Sequence, residues 1–385
     1  MDKVDLVYVD AGGGHRASAE ALRAALDEQG SWQVRMVNVQ EILRPLDSLG
    51  RATGLYLEDT YNLMLRKNWT RGMRYLIPLL HFAIRCFHKD QVRLLGEYWS
   101  VDPPGLVVSL VSHFNRALRE GLRAADSSAP FVVAITDFAD VPPHFWIESQ
   151  DQFVICGSDR AVSQARSLNI PGDRIYRTSG MILHPRFYAP LALDRAEGRA
   201  RLGLDPSVPT GIVTFGGQGS KAMIEIAQRL DRSRLELQLI LMCGRNVKLA
   251  VRLRTPGRLR RVVVEYTAEM PRYMALADFF IGKPGPASIS EALRMGLPVI
   301  VDCGPGTMPQ ERYNADWVLE QQVGLVVPSF RKIVAAVEEM LSPGRLSQFR
   351  AKASAMNNRA VFEVVEILRD ILHKGRSDQP SALLR

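Results

Sequence analysis

Val4-Asp-Leu-Val-Tyr-Val-Asp-Ala-Gly-Gly-Gly-His-Arg-Ala-Ser-Ala-Glu20 is the stretch that decides how this chain is read. Val4 to Val9 is a short β-branched apolar run, Gly12 to Gly14 force a tight turn, and Arg16 to Glu28 carries the alanine-rich periodicity of a helix. In a strand, glycine loop and helix, the bare backbone of Gly12, Gly13 and Gly14 lets a ligand approach closely. The first amides of the helix offer a partly positive end to an anion or an oxygen-rich substrate. His15 falls in that first turn, where the helix dipole disfavours the imidazolium by about 0.3–1 kcal/mol. The neutral ring can accept a proton, so His15 is a candidate general base; capping the turn is the equally weighted alternative. Gly12, Gly14 and Ala17 also satisfy the G-x-G-x-x-A dinucleotide fingerprint, which keeps a nicotinamide-dependent oxidoreductase open. The acid that fingerprint requires is not clear, because the second strand, Val34 to Val39, carries Asn38 and Glu41 comes late.

The chain has 385 residues, 46% hydrophobic and 23% charged, enough for two domains with separate cores. Cys86, Cys156, Cys243 and Cys303 lie far apart with no C-x-x-C pair, so neither a zinc site nor a disulfide framework is expected, and reduced thiols in the cytoplasm are. The start shows no signal-peptide pattern. The apolar stretch Leu76 to Ile84 is interrupted by Pro78 and His81 and is too short to span a bilayer, so a soluble or peripheral protein is expected. The net charge of +8 calls for an anionic partner: nucleic acid, a nucleotide ligand or an anionic membrane. Arg51 to Ser100 carries eight Lys/Arg against four acids, interleaved with aromatic residues including Tyr61, Trp69, Tyr75, Tyr98 and Trp99. Its part from Arg71 to His88 suits a helix lying among lipid headgroups or an ordinary packed insertion.

Further apolar runs at Gly105 to Leu110, Phe131 to Thr136 and Phe153 to Cys156 alternate with helical stretches, which argues for a parallel sheet covered on both faces. Ligands of such sheets sit at the carboxyl ends of strands, where Ser112, His113, Asp137 and His144 fall. Asp137 can orient His15, act as a second base, or cap the turn beside Pro142-Pro143. After the proline-punctuated Gly180 to Pro190 the pattern restarts: Thr210 to Phe215 is a strand, Gly216-Gly-Gln-Gly-Ser220 a loop, Lys221 to Leu230 a helix. The expected organisation is a first Rossmann-like domain at 1–180, with the basic aromatic insertion at 45–100, and a second at 190–345. A helix at 346–375 would return toward the first. Arg245 to Arg261 holds seven basic residues and no acid, a solvated face or, more sharply, a membrane or polyanion contact.

The most specific signal runs from Ile281 to Asn314. Gly282-Lys-Pro-Gly-Pro286 hands directly into a helix whose first turn holds Ala287, Ser288 and Ser290, a cradle for a diphosphate built from amides, hydroxyls and the dipole. Lys283 adds a charge beside Gly285, Glu291 one turn deeper can accept both hydroxyls of a ribose, and Gln310-Glu311 offers an amide and a carboxylate to a hexose.

At these residues the chain resembles inverting glycosyltransferase family 28, most closely its diacylglycerol-sugar branch, the monogalactosyldiacylglycerol synthases and their bacterial glucosyl relatives. The resemblance rests on Asp10 to Glu20, Thr136-Asp137, Gly180 to Phe187, Gly282 to Pro298 and Pro309-Gln-Glu-Arg-Tyr-Asn314, and spans nearly the whole chain. It implies an α/β GT-B fold, two Rossmann-like domains with parallel sheets facing an interdomain cleft. His15 would be the base or acceptor-orienting residue, Glu291 the ribose carboxylate, Gln310 and Glu311 the donor-sugar contacts, and Gly216, Gly217, Gly219 and Ser220 the loop near the phosphates. The chain departs from the plant pattern at Ala11, where a Thr precedes the glycines, and at Arg312-Tyr313, where the pattern has Ala-Gly.

The implied reaction moves galactose or glucose from a UDP-sugar to a lipid, 1,2-diacylglycerol, at the inner face of the cytoplasmic membrane. His15, with Asp137 as alternative, would take the acceptor proton. The helix after Gly285 and Lys283 would stabilise departing UDP without a metal or cofactor, and no D-x-D motif occurs in the chain. The expected partners are the UDP-sugar, the lipid and an anionic membrane surface reached through 51–100, with no nucleic acid; the oligomeric state stays open. The rivals are a UDP-sugar transferase or epimerase with a soluble acceptor, the nicotinamide oxidoreductase, and a non-catalytic protein binding lipid or nucleic acid through basic patches.

Overall fold

The computed structural model describes residues 2–10, 13–46, 84–141 and 144–377, of which 375–377 by backbone alone. Those residues divide into two compact units, the first of 2–185 together with 359–377, the second of 186–358.

In the first unit, β1 (Asp2–Tyr8), β2 (Trp32–Asn38), β3 (Leu106–Ser109), β4 (Phe131–Ala134), β5 (Phe153–Cys156) and β6 (Ile175–Arg177) form one sheet in the order β2-β1-β3-β4-β5-β6. Every pairing is parallel. The accompanying helices are α1 (Gly14–Gln29), α2 (Val39–Leu43), α3 (His88–Val101), α4 (Asn115–Ala124) and α5 (Asp159–Ser167). β3 and β4 are buried at every residue, as continuous apolar runs must be when helices cover both faces of a sheet. Gly13, at φ 82°, turns the chain from β1 into α1, in a backbone region that an L side chain enters only with strain.

In the second unit, β7 (Thr210–Thr214), β8 (Gln238–Met242), β9 (Arg261–Val264), β10 (Phe279–Gly282), β11 (Val299–Asp302) and β12 (Gly324–Val327) pair in the order β12-β11-β10-β7-β8-β9, again all parallel. Its helices are α6 (Arg195–Arg201), α7 (Ala222–Asp231), α8 (Val247–Leu253), α9 (Met270–Ala275), α10 (Pro286–Arg294), α11 (Pro309–Glu320), α12 (Ile333–Leu341) and α13 (Arg345–Ala355). Asp278, just before β10, ties this unit together. Its carboxylate meets Arg195 at 2.7 Å, Arg199 at 2.6 Å and Arg350 at 3.1 Å, and accepts the Thr210 amide at 2.8 Å. Burial pushes its carboxyl upward, but that amide and the guanidiniums outweigh burial and hold it below the usual carboxylate range.

The stretch 346–375, expected as one helix, is two. α13 stops at Ala355, Met356 to Arg359 are irregular, and α14 (Ala360–Ser377) belongs to the first unit, where it packs on α1. Asn357-Asn358 supplies the break, because asparagine side chains compete with the helix for backbone hydrogen bonds. Within the first unit the Arg359 amide donates to Ser179 Oγ at 2.7 Å, and Glu363 accepts the Ser179 amide at 2.6 Å.

The aromatic insertion divides differently from its sequence reading. Trp99 is fully buried in α3, and its indole donates to Asp5 Oδ2 at 2.9 Å. Asp5, in the middle of β1, is buried too, and Arg35 of β2 grips it with two hydrogen bonds at 2.8 and 2.6 Å. Tyr98 lies under the same guanidinium, 5.1 Å from ring centroid to Cζ. These two aromatics serve the core, while residues 47–83, which hold most of the insertion, lie outside the described residues. Removing one partner of a buried ion pair leaves the other uncompensated, at a cost of about 3–5 kcal/mol. Arg35 also pairs with Asp102 at 2.7 Å, so Asp5→Ala is expected to fall at the low end of that range, about 3 kcal/mol, read as a shifted urea-unfolding midpoint.

Candidate active site

In a parallel sheet, where the strand order reverses, the connections leaving the two neighbouring strands run to opposite faces and leave a crevice at the carboxyl edge. In the first unit the strand order reverses between β1 and β3. Leu110, the residue after β3, donates its amide to Val7 of β1 at 2.9 Å. Its carbonyl accepts from His15 Nδ1 at 2.8 Å. A carbonyl has no proton to give, so Nδ1 carries the hydrogen and Nε2 is left as the ring's acceptor. Thr136 Oγ1 stands 3.5 Å from the same Nδ1, and the Trp146 ring lies 5.5 Å from the imidazole centroid, tilted by 49°. Burial lowers the His15 pKa to about 4, against a smaller upward pull from the Leu110 carbonyl. The helix dipole anticipated from sequence acts in the same direction as burial.

Asp137 is buried after β4, where its Oδ2 accepts the Trp146 indole at 2.9 Å. The orienting bond to His15 Nδ1 comes from the Leu110 backbone. Asp140, which the sequence reading passed over, organises the segment carrying Trp146: it accepts the amides of His144, Trp146 and Ile147 at 3.2, 2.7 and 3.4 Å. Burial raises its pKa, and these amides offset part of that rise. Ser112 and His113 follow β3 as expected. His113 adopts φ 72°, its amide donates to the Phe145 carbonyl at 2.7 Å, and its ring packs 3.8 Å from that of Phe145. Of the acceptor-loop glycines, Gly13 and Gly14 are exposed with open space where a Cβ would stand, and Gly12 lies outside the described residues.

In the second unit the order reverses between β7 and β10, and both expected loops leave from there. Gly216 and Gly219 take φ 74° and 60°, and Gly216 and Gly217 present exposed backbone with no atom where side chains would be. Ser220 Oγ accepts the Ala222 amide at 3.2 Å, at the start of α7. After β10, Lys283-Pro-Gly285 leads into α10, whose cap residue Gly285 makes no side-chain cap bond and whose first residue is Pro286. Pro286 has no N–H, so the amides of Ala287 and Ser288 head the helix at its positive end. Ser288 is partly exposed, whereas Ser290 is buried on the inner face and stands apart from the cradle.

Glu291 lies one turn in. Burial raises its carboxyl to about 7, and Arg186 pulls only weakly the other way. Lys283 Nζ pairs with Glu311 Oε1 at 2.7 Å, so the cation expected for the diphosphate contacts a residue expected for the sugar. Asp302, at the end of β11, joins them and was not singled out from sequence. Burial first and then Glu311 raise it to about 6, while Lys283 lowers it. Gln310 Oε1 is buried without a hydrogen-bond partner among the described residues. Fully buried Asn314 donates to the Pro284 carbonyl at 2.8 Å and so holds the loop before α10. Among the described residues no group of three or more His, Cys, Asp or Glu is placed to hold a metal ion, and no helix is long and apolar enough to cross a membrane.

Residues 211–367 match the glycosyltransferase family 28 C-terminal domain. Along 99% of this chain and 82% of the relative, the sequence is 28% identical to the probable monogalactosyldiacylglycerol synthase 2, chloroplastic, of Oryza sativa subsp. japonica. Among solved structures, the calicheamicin glycosyltransferase CalG4 superposes with a TM-score of 0.61 at 15% identity, covering 98% of this chain and 99% of that one. Anabaena Alr3699/HepE, solved in complex with UDP, superposes with a TM-score of 0.52 at 14% identity, covering 97% and 100%. The two parallel six-stranded sheets are those of the GT-B fold. The chain is a glycosyltransferase whose residues 211–367 match the family 28 C-terminal domain, and along its length it is similar to the monogalactosyldiacylglycerol synthases.

Proposed function

We propose that this enzyme transfers a hexose from a UDP-sugar to the hydroxyl of a membrane lipid, 1,2-diacylglycerol, with inversion at the anomeric carbon. The observation that carries the reading is His15, whose proton sits on the nitrogen facing Leu110 and whose other nitrogen is left as the ring's acceptor, able to act as a base. The relatives' names supply the lipid acceptor, and the UDP held by HepE supports the nucleotide.

In this reading the diphosphate rests on the amides of Ala287 and Ser288 and beside the bare backbone of Gly216, Gly217 and Gly219. Glu291 accepts the ribose hydroxyls, and Gln310 and Glu311 read the hexose. The acceptor oxygen attacks C1 as its proton passes to His15 Nε2. The bond from C1 to the β-phosphate oxygen breaks, and UDP leaves with its growing charge on the head of α10. Lys283 adds charge to that end once it is released from Glu311, and Asp137 acts through Trp146 to fix the floor under the imidazole.

Incubating the enzyme with UDP-galactose or UDP-glucose labelled in the sugar, with diacylglycerol vesicles, is expected to move label into the organic phase. Label appearing only in water-soluble products would overturn the lipid acceptor. His15→Ala is expected to lower kcat by roughly 100-fold or more, the scale of a lost general base, while UDP binding by calorimetry stays unchanged. Because His15 is neutral at any pH well above its folded value of about 4, kcat at saturating donor is expected to show no acid limb from this group between pH 8 and 6.

Glu291 gives the opposite pH signature. Its carboxylate form, the one that accepts from ribose, fills only as pH rises through about 7. Uridine, which lacks phosphates, should therefore bind more tightly at pH 8 than at pH 6. Glu291→Gln should weaken it by about 10-fold, the scale of a charge-assisted hydrogen bond, and remove the pH dependence.

A further inference from the structure

We propose that the second unit carries its own contact for an anionic lipid bilayer, formed by the outer face of α8 and the neighbouring Tyr266. Val247 and Val251, spaced i and i+4 on α8, are 55% and 59% exposed, and Tyr266 beyond β9 is 61% exposed. Large apolar side chains open to that degree on one helix face have no packing role in this unit. Lys248 and Arg252, each one residue further along, form a second exposed row beside them, and among the described residues neither pairs with a carboxylate. Arg245 lies over the Tyr266 ring, 4.6 Å from Cζ to centroid, so aromatic and cation present one surface. Cations set beside protruding apolar side chains fit a headgroup layer, where phosphates meet the former and the upper acyl region the latter. A polyanion such as nucleic acid would use the cations and leave the valines in water.

The patch is joined to the donor loop. The Arg245 amide donates to the Gly217 carbonyl at 2.8 Å, and Asn246 Nδ2 donates to the Gln218 carbonyl at 3.2 Å. Gly219 fits because a Cβ there would stand 2.8 Å from the Cys243 carbonyl oxygen. The segment that meets lipid thus braces the loop assigned above to the sugar nucleotide, and seating one at the leaflet positions the other. This inference rests on the lipid-acceptor reading for its purpose, but its test reads binding and not transfer. An enzyme that binds vesicles through α8 yet glycosylates no lipid would sink only the earlier reading.

Flotation of the full chain with vesicles of phosphatidylcholine containing phosphatidylglycerol, against phosphatidylcholine alone, provides the test. Wild type should float with the anionic vesicles only. Lys248→Glu with Arg252→Glu should lower the partition coefficient at least about 10-fold, since each lost surface cation weakens binding about 5-fold. Val247→Asp with Val251→Asp should lower it comparably, with unchanged melting temperature and UDP affinity showing that both variants fold. Flotation of both double variants like wild type overturns the proposal, as does failure of wild type to float. Sensitivity to the charge reversal alone, accompanied by tight binding to double-stranded DNA, replaces it with a polyanion site.

Discussion

The one constraint on which the rest of this molecule depends is the direction of its strands. All strands in each sheet are parallel, so every connection must cross a face of the sheet, and only where the strand order reverses do two loops leave in opposite directions. In the first unit that gap lies between β1 and β3, in the second between β7 and β10. Polar groups gathered there are held largely by backbone: His15 by the Leu110 carbonyl and the Gly217 carbonyl by the Arg245 amide, while the Asn314 side chain holds the Pro284 carbonyl. The chemistry needs few specialised side-chain contacts because the topology brings the chain to those places.

His15 shows what a backbone partner supplies in place of a carboxylate. A carboxylate on Nδ1 would stabilise the imidazolium and lift its pKa; a neutral carbonyl fixes the same tautomer with less charge stabilisation, and burial then dominates. In the mechanism proposed above, the ring is neutral until an acceptor hydroxyl gives up its proton to it. Asp137 accepts the Trp146 indole instead, and the Trp146 ring lies beside the imidazole.

Much of this was legible in the residues because glycine and buried apolar runs have few physical alternatives. Gly13, Gly216 and Gly219 all take positive φ at the turns where the sequence placed loops, and the two strand and glycine-loop starts open the two sheets. β6 and β12 were missed for different reasons. Ile175–Arg177 is a three-residue edge strand too short to show a period, whereas Gly324–Val327 is an apolar run next to Pro328 that carried a readable signal. Asp140 and Asp302 were invisible because their importance lies in what they are buried against, amides in one case and Glu311 with Lys283 in the other. Trp99 is the reverse case: composition grouped it with the basic aromatic insertion, while its contact with Asp5, ninety-four residues away, makes it core.

The electrostatics of the second unit say what kind of ligand it suits. Glu291 and Asp302 are both raised by burial, to about 7 and about 6, and among the described residues Gln310 Oε1 has no donor. Surplus buried acceptors are costly unless something donates to them. A ligand made only of phosphate would worsen that imbalance, since it brings further acceptors. A bare sugar would satisfy these oxygens and leave the amides at the head of α10 unused. One molecule meets both demands: hydroxyl donors at each end for the carboxylates and the amide oxygen, with an anion between them for the helix. A nucleoside diphosphate sugar, the donor proposed above, has that order of parts, and in that proposal these groups form one donor site rather than a set of separately imperfect buried groups.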